Sequence, residues 1–503
     1  MTINFIPNDP LAVGDLPMIQ KTPRPNRPAG RAGFTLAGTV AEGLHAPNTK
    51  EFTFWQARES ALAAVEAWEA IAGNLTSWAR TGKKLELDSD FHDPEFTGNR
   101  RINAFYDGAG LRFFVLDDLT PPIFTGMSTD TVAHETGHAL LDTLRPELMQ
   151  SALPEVNAFH ESFGDCTALL TALADQSTRV RLLQVSPDLG TANFVESSSE
   201  YLSDAIKRVF GNVSPSKPRR ALNAFQWQLP STLPAGNFAD PPALLSREAH
   251  NFSRVFTGCF YDLLRNIFTG LSQQTEATLA AAARTAGRLL VAGVRASPEV
   301  DRYFRAVGRG MVLADADANA GANREAIGKA FAAHGLTLGS AAMLAPTAAL
   351  DGPAPTLLKA TAKLAAATTK DLRARIGAVP GSKMVVGLKE MFGAKMAEAV
   401  HHRDVDLGGV DKRLKGCIAR VAETVLVGNS GGRAAVLGAI PESNRTEDEV
   451  AAFVETLLRF GRIKLGTGPA APEATTHVLR TRGGKKVLER VRYLCGAGPF
   501  STR

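Results

Sequence analysis

His134-Glu135-Thr136-Gly137-His138, followed by His160-Glu161-Ser162-Phe163-Gly164-Asp165, is the passage on which the reading of this 503-residue chain turns. Histidines at i and i+4 stand one turn apart on one helical face, so both rings can reach a single ion, while Glu135 points beside it and stays available as a base. Val132, Ala133, Ala139, Leu140, Leu141 and Leu144 give the motif a buried helical setting, and Pro146 follows soon after. A catalytic zinc takes three protein ligands and keeps one position for water. Glu161 is the expected third ligand, because Glu155 to Ala174 is apolar at helical spacing and Asp165 lies four residues further on the same face. Asp165 is then placed to accept the second N–H of a ligating imidazole. The competing reading is two incidental histidines on a core helix, and the carboxylate pair that follows at helical spacing weighs against it.

These residues resemble the thermolysin-like gluzincins, a family of zinc metallopeptidases in which HExxH is followed by a Glu ligand and an Asp four residues later. The resemblance covers roughly residues 50 to 336. Upstream, Asn103-Ala104-Phe105-Tyr106-Asp107-Gly108 is similar to the family's edge strand, whose backbone pairs with an extended peptide, and Asp130 matches an acidic position. Downstream, His250, Ser253 and Tyr261 keep the spacing of the family's second catalytic histidine and its helix. The resemblance implies one zinc held by His134, His138 and Glu161, Glu135 as general base and His250 as oxyanion donor. It implies a substrate lying along Asn103, Ala104 and Tyr106. The chain also departs from the family. His160 stands where an Asn is usual, no tyrosine lies between His138 and Glu161, and the substrate-binding arginine falls near Asn223, with Arg219 and Arg220 just upstream as substitutes. Few acidic residues follow Asp165 at the family's calcium positions, which weighs against structural calcium.

Composition sets the frame. A chain of this length with 44% hydrophobic and 21% charged residues is expected to form a soluble protein of two or three domains. No apolar run reaches the length of a membrane span. Met1 to Asn8 has neither a basic nor an apolar signal region, so a cytoplasmic protein is expected, with export by a non-standard route as the alternative. Cys166, Cys259, Cys417 and Cys495 show no metal-binding spacing and read as free thiols.

The expected fold is α+β: a two-lobed thermolysin-like zincin at 49–336, β-rich to about residue 145 and helical over 146–336, with an additional α+β domain behind it. Residues 1–48, with Pro23, Pro25 and Pro28, read as an extended arm. Glu51 to Ala79 reads as a long helix, Arg101–Tyr106 and Leu111–Leu116 as strands, and Leu279–Ala292 and Arg324–His334 as the last helices of the second lobe. A Thr/Ala/Pro-rich stretch within 337–360 reads as a linker to a basic accessory domain at 361–503. Residues 341–503 carry 25 Lys+Arg against 15 Asp+Glu, a formal +10, which leaves about −5 for the remainder of a chain whose total is +5. There Glu447–Phe460 reads as a helix, and Thr476–Arg480 and Val487–Leu494 as strands joined at Arg482-Gly483-Gly484-Lys485. Helix then hairpin is the order of a winged-helix nucleic-acid module, but charge this diffuse describes a solvated surface or a docking face better.

The function expected is therefore zinc-dependent endopeptidase activity near apolar residues, with a peptide or protein substrate. The alternatives are a processing protease dedicated to one precursor and a weakly active, zinc-holding scaffold. All the chemistry is expected before residue 251, with the accessory domain choosing substrates.

Overall fold

The structure, a computed structural model, describes residues 1–92, 102–210, 219–236, 243–338, 384–391, 394–430, 433–436, 443–466 and 475–494. The chain is α+β. Its first half is built on a mixed sheet in the order Tyr493–Leu494, Ala104–Tyr106, Gly110–Leu116, Lys84–Phe91, Gly33–Leu36, with Ile123–Phe124 paired to Gly110–Leu116. Leu85, Leu87, Leu111, Phe113 and Phe114 are buried, so the sheet supplies one wall of the core. The helix Lys50–Ala72 lies on this sheet and packs in turn on two central helices, Thr129–Leu144 and Pro154–Ala174. Further helices, Ala249–Thr269, Glu276–Ala296, Tyr303–Asn319 and Arg324–Ala333, complete the helical part. Among the described residues, no helix is long and apolar enough to cross a membrane.

Several expectations need correction. Residues 1–48 are not a loose arm. Ile3–Phe5 pairs with Ile19–Lys21, Gly33–Leu36 joins the main sheet, and Ile3, Phe5, Ile6, Leu16 and Ala32 are buried. The cause lies in the helix beneath. The Gln56 side chain, wholly buried, accepts from the Ile6 amide at 2.9 Å and donates to its carbonyl at 2.8 Å, while buried Glu59 pairs with Lys21 and Arg24. The arm thus satisfies buried polar groups that would otherwise destabilise the helix. That helix also stops earlier than expected, at Gly73, whose φ of 84° the helix cannot continue through and which non-glycine residues rarely adopt. Lys84–Phe91 and Tyr303–Asn319 are elements the sequence reading lacked.

In the C-terminal part the helix is Ser443–Arg459, and the hairpin His477–Arg482 and Lys485–Arg490 turns through Gly483 and Gly484, both at positive φ as a two-residue turn of this hand needs. These strands belong to a seven-stranded sheet that also contains Met384–Met391, Ala394–Asp406 and Cys417–Ser430, a sheet wider than the winged-helix order suggests. The strand expected over Val487–Leu494 breaks after Arg490. Its first piece stays in that sheet, and Tyr493–Leu494 crosses to the other one, beside Ala104–Tyr106. The helix Ser443–Arg459 packs against Pro154–Ala174, Glu449 accepts from the Ser231 hydroxyl at 2.8 Å, and Gln150 exchanges two hydrogen bonds of 3.0 Å with the backbone of Arg490. The C-terminal part is therefore docked on the rest. The expected linker lies outside the described residues from 339 onward.

Candidate metal centre

Two helices make the site. Thr129–Leu144 starts at Ser128, whose hydroxyl caps the Thr131 amide, and carries His134, Glu135 and His138; Pro154–Ala174, begun by a proline at its first position, carries His160, Glu161 and Asp165. They cross closely because glycine stands at the contact. A Cβ on Gly164 would lie 2.6 Å from the His134 ring, and one on Gly137 would lie 2.9 Å from the Gly164 Cα and 2.8 Å from the Thr167 hydroxyl. No side chain fits there without moving a helix.

At this crossing His134, His138 and Glu161 converge, all buried, with one potential ligand atom from each within 4.8 Å of the others. Glu161 Oε2 lies 3.3 Å from His134 Nε2 and 3.8 Å from His138 Nε2. Behind them, Asp165 Oδ1 accepts from His134 Nδ1 at 2.9 Å, which leaves Nε2 facing the cluster. Among the described residues, neither ring nitrogen of His138 has a hydrogen-bond partner, nor has Glu161 Oε2. Buried polar atoms are seldom left this way unless something else occupies them, so the donor set can hold a metal ion.

The electrostatics agree. Burial pushes His138 well below its ordinary value, keeping it neutral as a ligand must be. Burial works against charge on Glu161, but the nearby His250 and His138 rings hold its carboxyl well below the usual range. For Asp165 burial works against charge as well, but the Arg219 guanidinium and the His134 ring together lower the carboxyl. His134 differs: burial and Arg219 press it down, yet Asp165 and Glu161 raise it to about 9. The two carboxylates beside the ring favour positive charge there, which a metal ion at Nε2 would supply.

His250, at the start of Ala249–Thr269, reaches the cluster from the opposite side, with Nε2 at 3.2 Å from Glu161 Oε2. Its Nδ1 lies 2.8 Å from Glu248 Oε1. Burial would raise Glu248, but His250 and Arg462 bring it down to about 2, so it is an acceptor. The second neighbour of Nε2 is the carbonyl of Leu494, at 2.7 Å. These neighbours are acceptors, so each ring nitrogen faces an oxygen to which a proton on it can be donated.

The other expected residues fall into place unevenly. Ala104 and Tyr106 lie on the strand Ala104–Tyr106 and Asn103 just before it, but the strand is not a free edge, because Tyr493 pairs with Tyr106 and Leu494 with Phe105. The Tyr106 hydroxyl points away, donating to Asp142 at 2.7 Å. Arg219 packs against the ligands, its Nη1 3.2 Å from Asp165 Oδ1, 3.3 Å from His134 Nε2 and 3.9 Å from Glu161 Oε2. Arg220 pairs with buried Glu196, and Asn223 donates to the carbonyls of Arg220, Ala221 and Arg254, which fastens a loop. His160 stands beside His138, ring centroids 5.8 Å apart.

Two features escape a reading of the sequence. The glycine pair Gly137 and Gly164 was visible as letters, but its meaning appears only when the helices are brought together. Tyr493 had no local signal at all, although it stacks on both His160, at 4.3 Å, and His138, at 4.7 Å. The surroundings of the cluster thus include residues beyond 251. A small cavity beside Glu161 and His250 is walled on its far side by Phe453, Leu457, Arg462 and Arg490. No protein-family model matches the chain, and no curated protein matches it.

Proposed function

We propose that the protein is a zinc metallopeptidase of the thermolysin-like, gluzincin kind, hydrolysing peptide bonds with Glu135 as general base. The observation that carries this reading is the convergence of buried His134, His138 and Glu161, with Asp165 bonded to His134 and His250 opposite. The unpartnered nitrogens of His138 and the depressed carboxyl of Glu161 suit a divalent ion bound by nitrogen and oxygen, and two imidazoles with one carboxylate suit zinc. Bound zinc would polarise a carbonyl and bring the pKa of a water towards neutrality.

The chain's own residues do the rest. Glu135, fully buried beside the ligands, takes a proton from the attacking water and returns it to the leaving amine. His250 Nε2 donates to the carbonyl oxygen as it becomes an oxyanion, and Glu248 holds the ring in position. With Tyr493–Leu494 displaced from it, the backbone of Ala104–Tyr106 aligns an extended peptide as an added strand. No tyrosine lies between His138 and Glu161, so oxyanion support rests on His250 and the metal. Cleavage beside apolar residues is part of the proposal. A processing enzyme with few substrates is favoured over a general one by the filled strand-pairing position, which leaves little room for arbitrary peptides.

The test is mass spectrometry of products from a diverse peptide library, with Glu135→Gln as the blank. Cuts present with the wild type and absent with the variant are expected, with a shared preference flanking the bond. A library left intact by zinc-loaded protein, or cuts that survive Glu135→Gln, would remove the reading.

A further inference from the structure

The cavity beside Glu161 and His250 holds more positive charge than the chain around it neutralises. Arg247, Arg462 and Arg490 all line it. Arg247 is paired, with Glu455 at 2.8 Å and the Thr456 hydroxyl at 3.0 Å. Arg462 is only 9% exposed, and its one ion-pair neighbour among the described residues is Glu248, whose Oε1 is 3.9 Å away. That oxygen already serves His250 Nδ1 at 2.8 Å. Arg490 forms no ion pair among the described residues. Its guanidinium bonds Asn157 and the Arg492 carbonyl, lies 4.1 Å from the centre of the Tyr493 ring, and keeps a buried Nε without a partner. Burial lowers Arg490 from the ordinary arginine value, and nearby Arg462 adds to that pressure. The carboxylate that acts on it from further off, Glu161, is assigned to the metal. A cation is seldom buried in this way, because the loss of its water is offset only by an anion. The arrangement is also held in place. Gln150 clamps the Arg490 backbone with two hydrogen bonds of 3.0 Å, ahead of the Tyr493–Leu494 pair that an incoming strand displaces.

We infer that Arg462 and Arg490 form a subsite for a carboxylate, and that the peptide cut carries this group on a residue close to the scissile bond. This rests on the peptidase reading above and names its substrate class. The position follows from the walls of the cavity, which meets Glu161 and His250 on one side and the two guanidiniums on the other. Each guanidinium offers a planar fork of N–H donors that matches the two oxygens of a carboxylate, and the match is stronger where water is excluded. Phe453, Leu457 and Phe460 stand beside them, so the carbon stem of the same residue meets apolar surface. An ammonium side chain is repelled there, and a neutral amide leaves both arginines short of an anion. Two groups of a peptide carry the required chemistry: the side chain of Glu or Asp, and the carboxylate at the end of the chain.

The test takes a synthetic peptide that the full, zinc-loaded chain cuts and remakes it in matched pairs, with Glu or Gln at each position near the bond, and with a free or an amidated C-terminus close to it. The expected result is a kcat/KM at least about tenfold higher for one carboxylate form than for its amide, carried mainly by KM. A gain with Glu over Gln identifies a side chain as the source, and a gain with the free over the amidated end identifies the terminus. Arg490→Gln and Arg462→Gln should each bring that ratio towards one. A purely structural loss would instead lower both members of a pair together and leave the ratio as it was. Where Arg490→Gln does not fold, Arg462→Gln carries the test, because the ion pair it removes is the long one to Glu248. A readout without turnover comes from zinc-loaded Glu135→Gln, which should bind the preferred carboxylate peptide at least about tenfold more tightly than its amide in titration calorimetry. Equal rates and equal affinities within every pair overturn the subsite and leave the peptidase reading standing. A preference that Arg462→Gln leaves intact overturns the subsite as well. A chain that binds zinc and cuts no peptide overturns both.

Discussion

Gly164 is the residue on which the metal cluster depends most sharply, because a single added carbon would enter the His134 ring. Gly164→Ala is expected to force the two central helices apart, lowering zinc affinity by at least about tenfold while far-ultraviolet circular dichroism stays that of a folded α+β protein. Unchanged zinc affinity would show that the crossing has slack the geometry does not suggest. His250 is constrained by chemistry and not by space. His250→Ala should keep the zinc and lower kcat by about two to three orders of magnitude, the usual scale for one oxyanion donor. Much of this scale was legible in the sequence. The i, i+4 histidines, Glu161 and the Asp165 brace all follow from helical spacing. Arg219 was read as a substrate contact because its distance from His134 along the chain hides that it packs against that ring.

The helix Pro154–Ala174 anchors the site through its first turn as well as its middle. Glu155, fully buried there, accepts from the Trp227 indole at 2.7 Å and the Phe304 amide at 3.0 Å, tying three segments together. Burial nevertheless prevails over these donors and over Arg302, and raises the carboxyl to about 7. A carboxyl raised above its unfolded value contributes stability that is complete below the unfolded pKa and is lost as pH climbs through the folded one. Urea unfolding should therefore show Glu155→Gln gaining on the wild type between pH 5 and pH 8, by on the order of 2 kcal/mol. Equal pH slopes for the two proteins would mean that Glu155 stays charged in its pocket. Elements were less legible than residues. Ala394–Asp406 begins Ala-Lys-Met-Ala-Glu-Ala, residues that favour helix, yet it is a strand because it pairs with neighbours on both sides. Residues 1–48 looked unstructured because their partners, Gln56 and Glu59, lie on a helix further along.

For the whole molecule, the main lesson is that the C-terminal part is a wall of the site. Sequence composition separated it by charge and by the Thr/Ala/Pro-rich stretch, and long-range pairing, such as Leu494 with Phe105, leaves no local trace. Ending the chain near Ser340 would uncover the Ala104–Tyr106 strand and the face of Pro154–Ala174 that Ser443–Arg459 covers. Such a truncation is expected to lower the thermal midpoint by at least several degrees, since it exposes buried apolar surface and an unpaired strand edge. A midpoint equal to that of the full chain would return the C-terminal part to the status of an independent unit. Underneath all of this stands the claim that His134, His138 and Glu161 hold one zinc ion. Elemental analysis of protein purified without chelators tests it most directly. The account predicts about one zinc per chain in the wild type and in Glu135→Gln, and close to none when His134→Ala and His138→Ala are combined. A wild-type zinc content near zero after incubation with the ion, or one that the double substitution leaves unchanged, would contradict it.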